Sequence, residues 1–203
     1  MKINYTRRIA KVKENDIKKI HRKLEKALDK KRFEHTLGVA YTATALAMRY
    51  EEDLKKAEVA GLLHDCAKCI ENSKKLAICE KYNIQVSDLE RKNPYLLHAK
   101  LGGFIAMQKY GVRDKEIVSA IVNHTTGCPH MGQLDKIIYI ADYIEPYRHQ
   151  APHLKAIRKM AFLDIDKALL MILEDTLKYL NALGNSIDPM TEKTYEYYKN
   201  NIQ

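Results

Sequence analysis

Nowhere in the 203 residues does an apolar run approach the roughly 20 residues needed to cross a membrane. The opening stretch MKINYTRRIAKVKEN carries charge but no apolar centre of a secretion signal. No membrane role is expected, and the expected location is the cytoplasm. Cysteine is also scarce. Cys66, Cys69, Cys79 and Cys128 are most simply free thiols in a reducing compartment. Cys66 and Cys69 form a C-x-x-C, but nothing around them reads as a βαβ unit, and no second pair completes a zinc site. Repeats, low-complexity segments and linker-like stretches are missing, so nothing divides the chain into several globular domains. Alternating β-branched runs are missing too, which argues against strands.

What is there is helical periodicity, almost throughout. The spacing predicts helices over 16–30, 33–50, 53–67, 72–82, 86–91, 95–110, 114–124, 132–146, 153–181 and 190–200. Ile17, Ile20, Leu24 and Leu28 form the apolar stripe of the first. Asp53 is a candidate N-cap, and Gly111 a candidate helix-ending glycine. The fold class is all-α, a single helical domain over residues 16–203 behind a basic N-terminal arm, residues 1–15. The net charge is +9, from 35 basic and 26 acidic residues. Such an excess fits nucleic acid, an anionic substrate or a solvated surface. The basic stretches TRRIAKVK and KKIHRKLEKALDKKR lack the interleaved aromatics of a single-strand-binding groove, so nucleic acid is the weaker reading.

The histidines are not scattered. His35 shares a helix face with Val39, Thr42 and Leu46, and His98 with Leu101, Gly102 and Ile105. His124 continues the stripe of Ile117, Ala120 and Ile121. His64 and Asp65 end the apolar run VAGLLHDCAK. Asp142 follows Ile138 and Tyr139 by one turn. Four histidines and two aspartates are therefore expected to face one core from five helices. A lone inward histidine is commonly a satisfied core residue. Six such groups together must satisfy one another, and a divalent metal does that for imidazoles and carboxylates at once. His21, His130, His149 and His153 read as surface residues.

The ordered set His35, His64-Asp65, His98, His124 and Asp142 resembles the HD-domain superfamily of metal-dependent phosphohydrolases. The strings RFEHTLGVA, GLLHDCAK, HAKLGG, AIVNHTTG and DKIIYIADYIEPYR are similar to the YqeK-type symmetrical bis(5′-nucleosyl)-tetraphosphatases. Two positions differ from that family's usual pattern: Glu34 stands where glycine is frequent, and Tyr147 where asparagine is usual. The resemblance implies two divalent transition metals, iron foremost, with Mn, Co, Ni or Zn as alternatives. It implies that His35, His64, Asp65 and Asp142 hold the first, and His98, His124 and the other oxygen of Asp65 the second. The implied reaction is attack of a metal-activated hydroxide on diadenosine tetraphosphate, giving two ADP, with ADP or GDP as product-like ligands.

Lys68 lies four residues after His64, Arg32 three before His35, and Arg148 just beyond the Asp142 helix. Each either serves the phosphate chain, with Lys68 and Asp65 the catalytic pair, or is a plain surface charge. Thr125, Thr126 and Gly127 offer hydroxyls and N–H groups to phosphate. The resemblance places the late loop, with Gly184, Asn185, Ser186 and Ile187, at the nucleobase. Two other readings remain open. One is an HD phosphohydrolase acting on a nucleoside monophosphate, a dNTP or a cyclic nucleotide. The other is a basic RNA-binding or regulatory protein with a structural metal site. The oligomeric state is left open between monomer and homodimer.

Overall fold

The computed structural model describes residues 14–184 and 186–202; the basic arm and Asn185 thus lie outside the described residues, apart from Glu14 and Asn15 at the arm's end. Among the described residues there are helices and no strands. In chain order they are α1 (Glu14–Ala27), α2 (Lys30–Arg49), α3 (Leu54–Leu63), α4 (Asn72–Lys81), α5 (Asp88–Lys92), α6 (Leu97–Lys109), α7 (Lys115–Asn123), α8 (Gln133–Ile144), α9 (Leu154–Ala161), α10 (Ile165–Ala182) and α11 (Pro189–Asn201); a 3-10 turn, Pro94–Leu96, leads into α6.

The central helix is α8. Leu134, Ile137, Ile138, Ile140, Ala141 and Ile144 are all buried, so its apolar surface runs almost all the way round. It packs against α2, α3, α7 and α10. Each leucine or isoleucine among them contributes roughly 1.5–3 kcal/mol when fully buried. The α2–α3 pair is built from small residues, with Ala40, Ala43, Ala47, Ala57 and Ala60 buried. Gly61 is required there: a Cβ on it would lie 2.7 Å from the Ala40 Cα. A smaller apolar cluster of Ala67, Cys79, Leu97 and Leu101 holds α4 and the start of α6 together. All four cysteines are free thiols, two buried, one partly buried and Cys69 exposed.

Three boundaries depart from the periodicity, each for a local reason. The first helix stops at Ala27, because Asp29 accepts a hydrogen bond from the Arg32 N–H and caps α2. The span 153–181 is two helices. Asp164 accepts from the N–H groups of Asp166 and Lys167 and restarts the chain as α10. The helix expected over 53–67 ends at Leu63, with Asp53 as its N-cap. Beyond it the backbone tightens into turns bonded i to i+3, Leu63 to Cys66, Asp65 to Lys68 and Ala67 to Ile70. The HD pair therefore sits in a turn at the end of α3.

Candidate metal centre

Five elements deliver six donor side chains to one place. α2 supplies His35 from its first turns, and the turn after α3 supplies His64 and Asp65. α6 supplies His98, the end of α7 supplies His124, and α8 supplies Asp142. His64, Asp65, His98 and His124 are 3% exposed or less. His35 and Asp142 lie nearer the surface.

Three of the four imidazoles share one arrangement. Nδ1 of His64 lies 2.6 Å from the Gly61 carbonyl oxygen, Nδ1 of His98 2.7 Å from that of Tyr95, and Nδ1 of His124 2.7 Å from that of Ile121. A carbonyl oxygen only accepts, so each Nδ1 must carry the proton. Each Nε2 then presents a bare lone pair to the interior. Burial pushes the pKa of His64 down to about 4 and that of His98 down to about 3, which keeps both rings neutral. His35 is held differently, with Nδ1 3.2 Å from Oε1 of Glu145 and Nε2 3.1 Å from Oδ1 of Asp142. Burial pulls its pKa down, but the two carboxylates outweigh that and raise it.

Asp65 divides its oxygens. Oδ2 faces Nε2 of His64 at 3.6 Å and Nε2 of His35 at 4.0 Å. Oδ1 faces Nε2 of His98 at 3.4 Å and Nε2 of His124 at 3.5 Å. Asp142 joins the first group, 3.9 Å from His64 Nε2. Nε2 of His64 and Oδ1 of Asp65 are buried without a hydrogen-bond partner. Such groups are costly unless something positive meets them. Two sets can each hold a metal: His35, His64 and Asp142, and His64, Asp65 and His124, with donor atoms within 4.8 Å of one another. The donor chemistry, imidazole nitrogen with carboxylate oxygen, fits a divalent transition metal.

The side-chain cations read from the sequence are here as well. Arg32 Nη1 lies 2.7 Å from Oδ2 of Asp65. Lys68 Nζ lies 3.0 Å from Nε2 of His98 and 3.8 Å from Oδ1 of Asp65. Arg148 donates to the Asp142 carbonyl at 2.9 Å and meets its Oδ1 at 3.3 Å. The Thr125 hydroxyl lies 3.1 Å from Nε2 of both His98 and His124.

Two clefts flank the cluster. One, about 540 Å³, is lined by Arg32, His35, Tyr147 and Arg148 among others. The other, about 310 Å³, is lined by Thr125, Thr126, Gly127 and Asp188 among others. The structure therefore puts Arg148 and the Thr125–Gly127 turn in different clefts. Of the late loop, Gly184 and Ser186 are exposed and Ile187 is half-buried, while Asp188 lines the second cleft. Among the remaining histidines, His130 and His149 are exposed. His153 is largely exposed but pairs with the buried Asp175 at 2.9 Å, and His21 stands edge-on to Phe33.

Two contributors escape the periodicity argument. Glu145, buried at the end of α8, orients His35 through Nδ1 and accepts from the Tyr147 N–H at 2.7 Å. Gly38 makes room for it, since a Cβ there would lie 2.6 Å from Oε2 of Glu145. Arg158 donates to the carbonyls of Ile144, Glu145 and Arg148 and fixes the chain after α8. The acidic residue three positions after Asp142 is the signal that would have pointed to Glu145.

A helical fold enclosing such a histidine–aspartate cluster defines a class of metal-dependent phosphohydrolases, and the comparisons agree. Residues 32–147 match the HD domain family. A Bacillus subtilis (strain 168) protein named bis(5′-nucleosyl)-tetraphosphatase, symmetrical, is 38% identical over 176 residues, covering 86% of this chain and 92% of that one. A Staphylococcus aureus protein of the same name is 36% identical, covering 90% and 94%. A crystal structure from Clostridium acetobutylicum, described as a "predicted HD superfamily hydrolase involved in NAD metabolism", superposes with a TM-score of 0.87 at 41% identity, covering 90% of this chain and 96% of that one. The chain belongs to the HD-domain family and, within it, to the group of symmetrical bis(5′-nucleosyl)-tetraphosphatases.

Proposed function

We propose that the protein hydrolyses diadenosine tetraphosphate at its central phosphoanhydride, giving two ADP, at a centre of two divalent transition metals. The observation that carries this reading is the division of the Asp65 oxygens between two histidine pairs, Oδ2 toward His35 and His64, Oδ1 toward His98 and His124. His35, His64, Asp65 and Asp142 would hold one cation. His98, His124 and the second oxygen of Asp65 would hold the other. When bound, the pair supplies nucleophile activation near neutral pH and positive charge for the phosphoryl oxygens. Iron suits this donor set, with Mn, Co, Ni and Zn as alternatives. Four free thiols support a cytoplasmic setting.

The chain's own residues do the rest. The Nδ1 hydrogen bonds hold each imidazole with Nε2 inward, so donor geometry is set before substrate arrives. Lys68, half in the site beside Asp65 Oδ1, meets the charge that grows on the phosphoryl oxygens. Arg32 and Arg148 hold phosphate from one cleft, and the Thr125–Gly127 turn holds it from the other, with the late loop bordering one base. Water adds to one of the two inner phosphorus atoms, the central P–O bond breaks, and the departing ADP keeps the bridging oxygen. The test is hydrolysis in ¹⁸O-enriched water with products separated by mass. ADP alone, with one label per pair of product molecules, is expected. AMP and ATP as primary products would contradict the central cut, and strong RNA binding without turnover would overturn the hydrolase reading.

A further inference from the structure

The larger cleft contains an aromatic ring that neither the metal cluster nor the fold accounts for. Tyr147 is 63% exposed. It lines the cleft with Lys31, Arg32, His35, Arg148 and His149. Thirteen tyrosines are present and several are exposed, so exposure alone means little. What sets Tyr147 apart is how it is held. Its backbone N–H donates to Oε2 of Glu145 at 2.7 Å, while Oε1 of that same carboxylate lies 3.2 Å from His35 Nδ1. Its ring rests on α2 at Gly38, where a Cβ would come within 3.4 Å of Tyr147 Cδ2. One buried carboxylate thus ties the Tyr147 backbone to a donor of the metal cluster. The ring meets α2 at Cδ2 while the residue stays largely exposed.

The surroundings define what would lie on it. Arg32 and Arg148 reach the carboxylates of the cluster and line the same cleft as the ring. An aromatic face beside two guanidinium groups, opening onto a metal cluster, fits a nucleotide, with the base on the ring and the phosphates toward the centre. The cleft volume of about 540 Å³ suits a ligand of that size. The late loop lies beside the other cleft, through Asp188. We propose that Tyr147 is a stacking platform for the second nucleobase of a dinucleoside polyphosphate, so that each cleft receives one half of the substrate. This rests on the hydrolase reading given above and adds a base-selective subsite to it.

The chain has no tryptophan, so Tyr147→Trp places a lone indole reporter in the cleft of the metal-loaded protein. Titration with AMP is expected to quench its fluorescence, whereas ribose 5-phosphate and pyrophosphate, which lack a base, leave it nearly unchanged. Kinetically, Tyr147→Ala is expected to raise KM for diadenosine tetraphosphate about tenfold, as loss of one stacked base would, with kcat moving less. Tyr147→Phe, which keeps the ring, should bring KM back toward the unsubstituted value. Circular dichroism checks that each variant is folded. Quenching by ribose 5-phosphate as deep as by AMP, or an unchanged KM in Tyr147→Ala, would overturn the subsite. A wild-type protein without turnover would instead overturn the hydrolase reading, and AMP quenching would still report on the cleft by itself.

Discussion

At the scale of single residues, the question is why a buried carboxylate stands beside a buried imidazole at the end of α3. Asp65 has histidine nitrogens on both of its oxygens and one oxygen with no hydrogen-bond partner. Among the described donors Asp65 faces both histidine pairs, so under the proposed two-metal reading its loss should release both cations. Asp65→Ala is expected to bind no metal by elemental analysis while its helical circular dichroism persists. Retention of both cations in that variant would rule out the bridge. Lys68 separates metal binding from charge stabilisation. Lys68→Ala should keep its metal content and lose turnover on the order of tenfold to a thousandfold. Unchanged kinetics would make Lys68 a surface charge. The inward direction of His35, His98, His124 and Asp142 was legible in the sequence because each falls on an apolar stripe of period 3.6, and that of His64 and Asp65 because they end an apolar run. The direction of Glu145 was not, since a charged residue at the end of the helix expected over 132–146 reads as surface, and only the end of α8 at Ile144 turns it inward to His35.

At the scale of elements, the break between α9 and α10 shows the limit of the same signal. Apolar residues keep helical spacing across 153–181, so the pattern reads as one helix. The structure ends α9 at Ala161 and restarts at Ile165, because the Asp164 carboxylate captures two N–H groups of the next turn. An N-cap competes locally with the helix, and a periodicity argument does not weigh that competition. Asp164→Ala should cost about 1 kcal/mol of stability, within the usual 0.5–2 kcal/mol for a lost cap. Urea denaturation at constant m-value is the measurement, and an unshifted midpoint would mean that the cap contributes nothing. The turn after α3 was hidden for a related reason. Its i to i+3 bonds replace helical ones without any glycine or proline to announce it, and they turn His64 and Asp65 together toward the centre. The inward direction of the pair was readable; the turn that achieves it was not.

At the scale of the whole molecule, two interiors coexist. One is an apolar core running from Ile20 on α1 to Tyr198 on α11, continuous through α2, α3, α7, α8 and α10. The other is the polar centre set among α2, α3, α6, α7 and α8. The first is expected to hold without the second. Its helices close over Leu24, Leu46, Ile121, Ile138 and Leu169 whatever occupies the donors. This differs from a small metal-folded domain, where the metal replaces a missing core. Chelation should therefore abolish turnover and leave the far-ultraviolet dichroism unchanged. The melting temperature should still fall. Cations bind the folded state, so removing them withdraws a stabilisation that grows with the logarithm of free metal over its dissociation constant. Removal also leaves Asp65 and His64 buried against one another, with the side-chain cations Arg32 and Lys68 near Asp65 for partial compensation. Adding back divalent metal should restore both activity and melting temperature, with the temperature rising as free metal rises. Loss of the helical signal on chelation would show instead that the metal centre is part of what folds the chain, and the separation of the two interiors would be wrong.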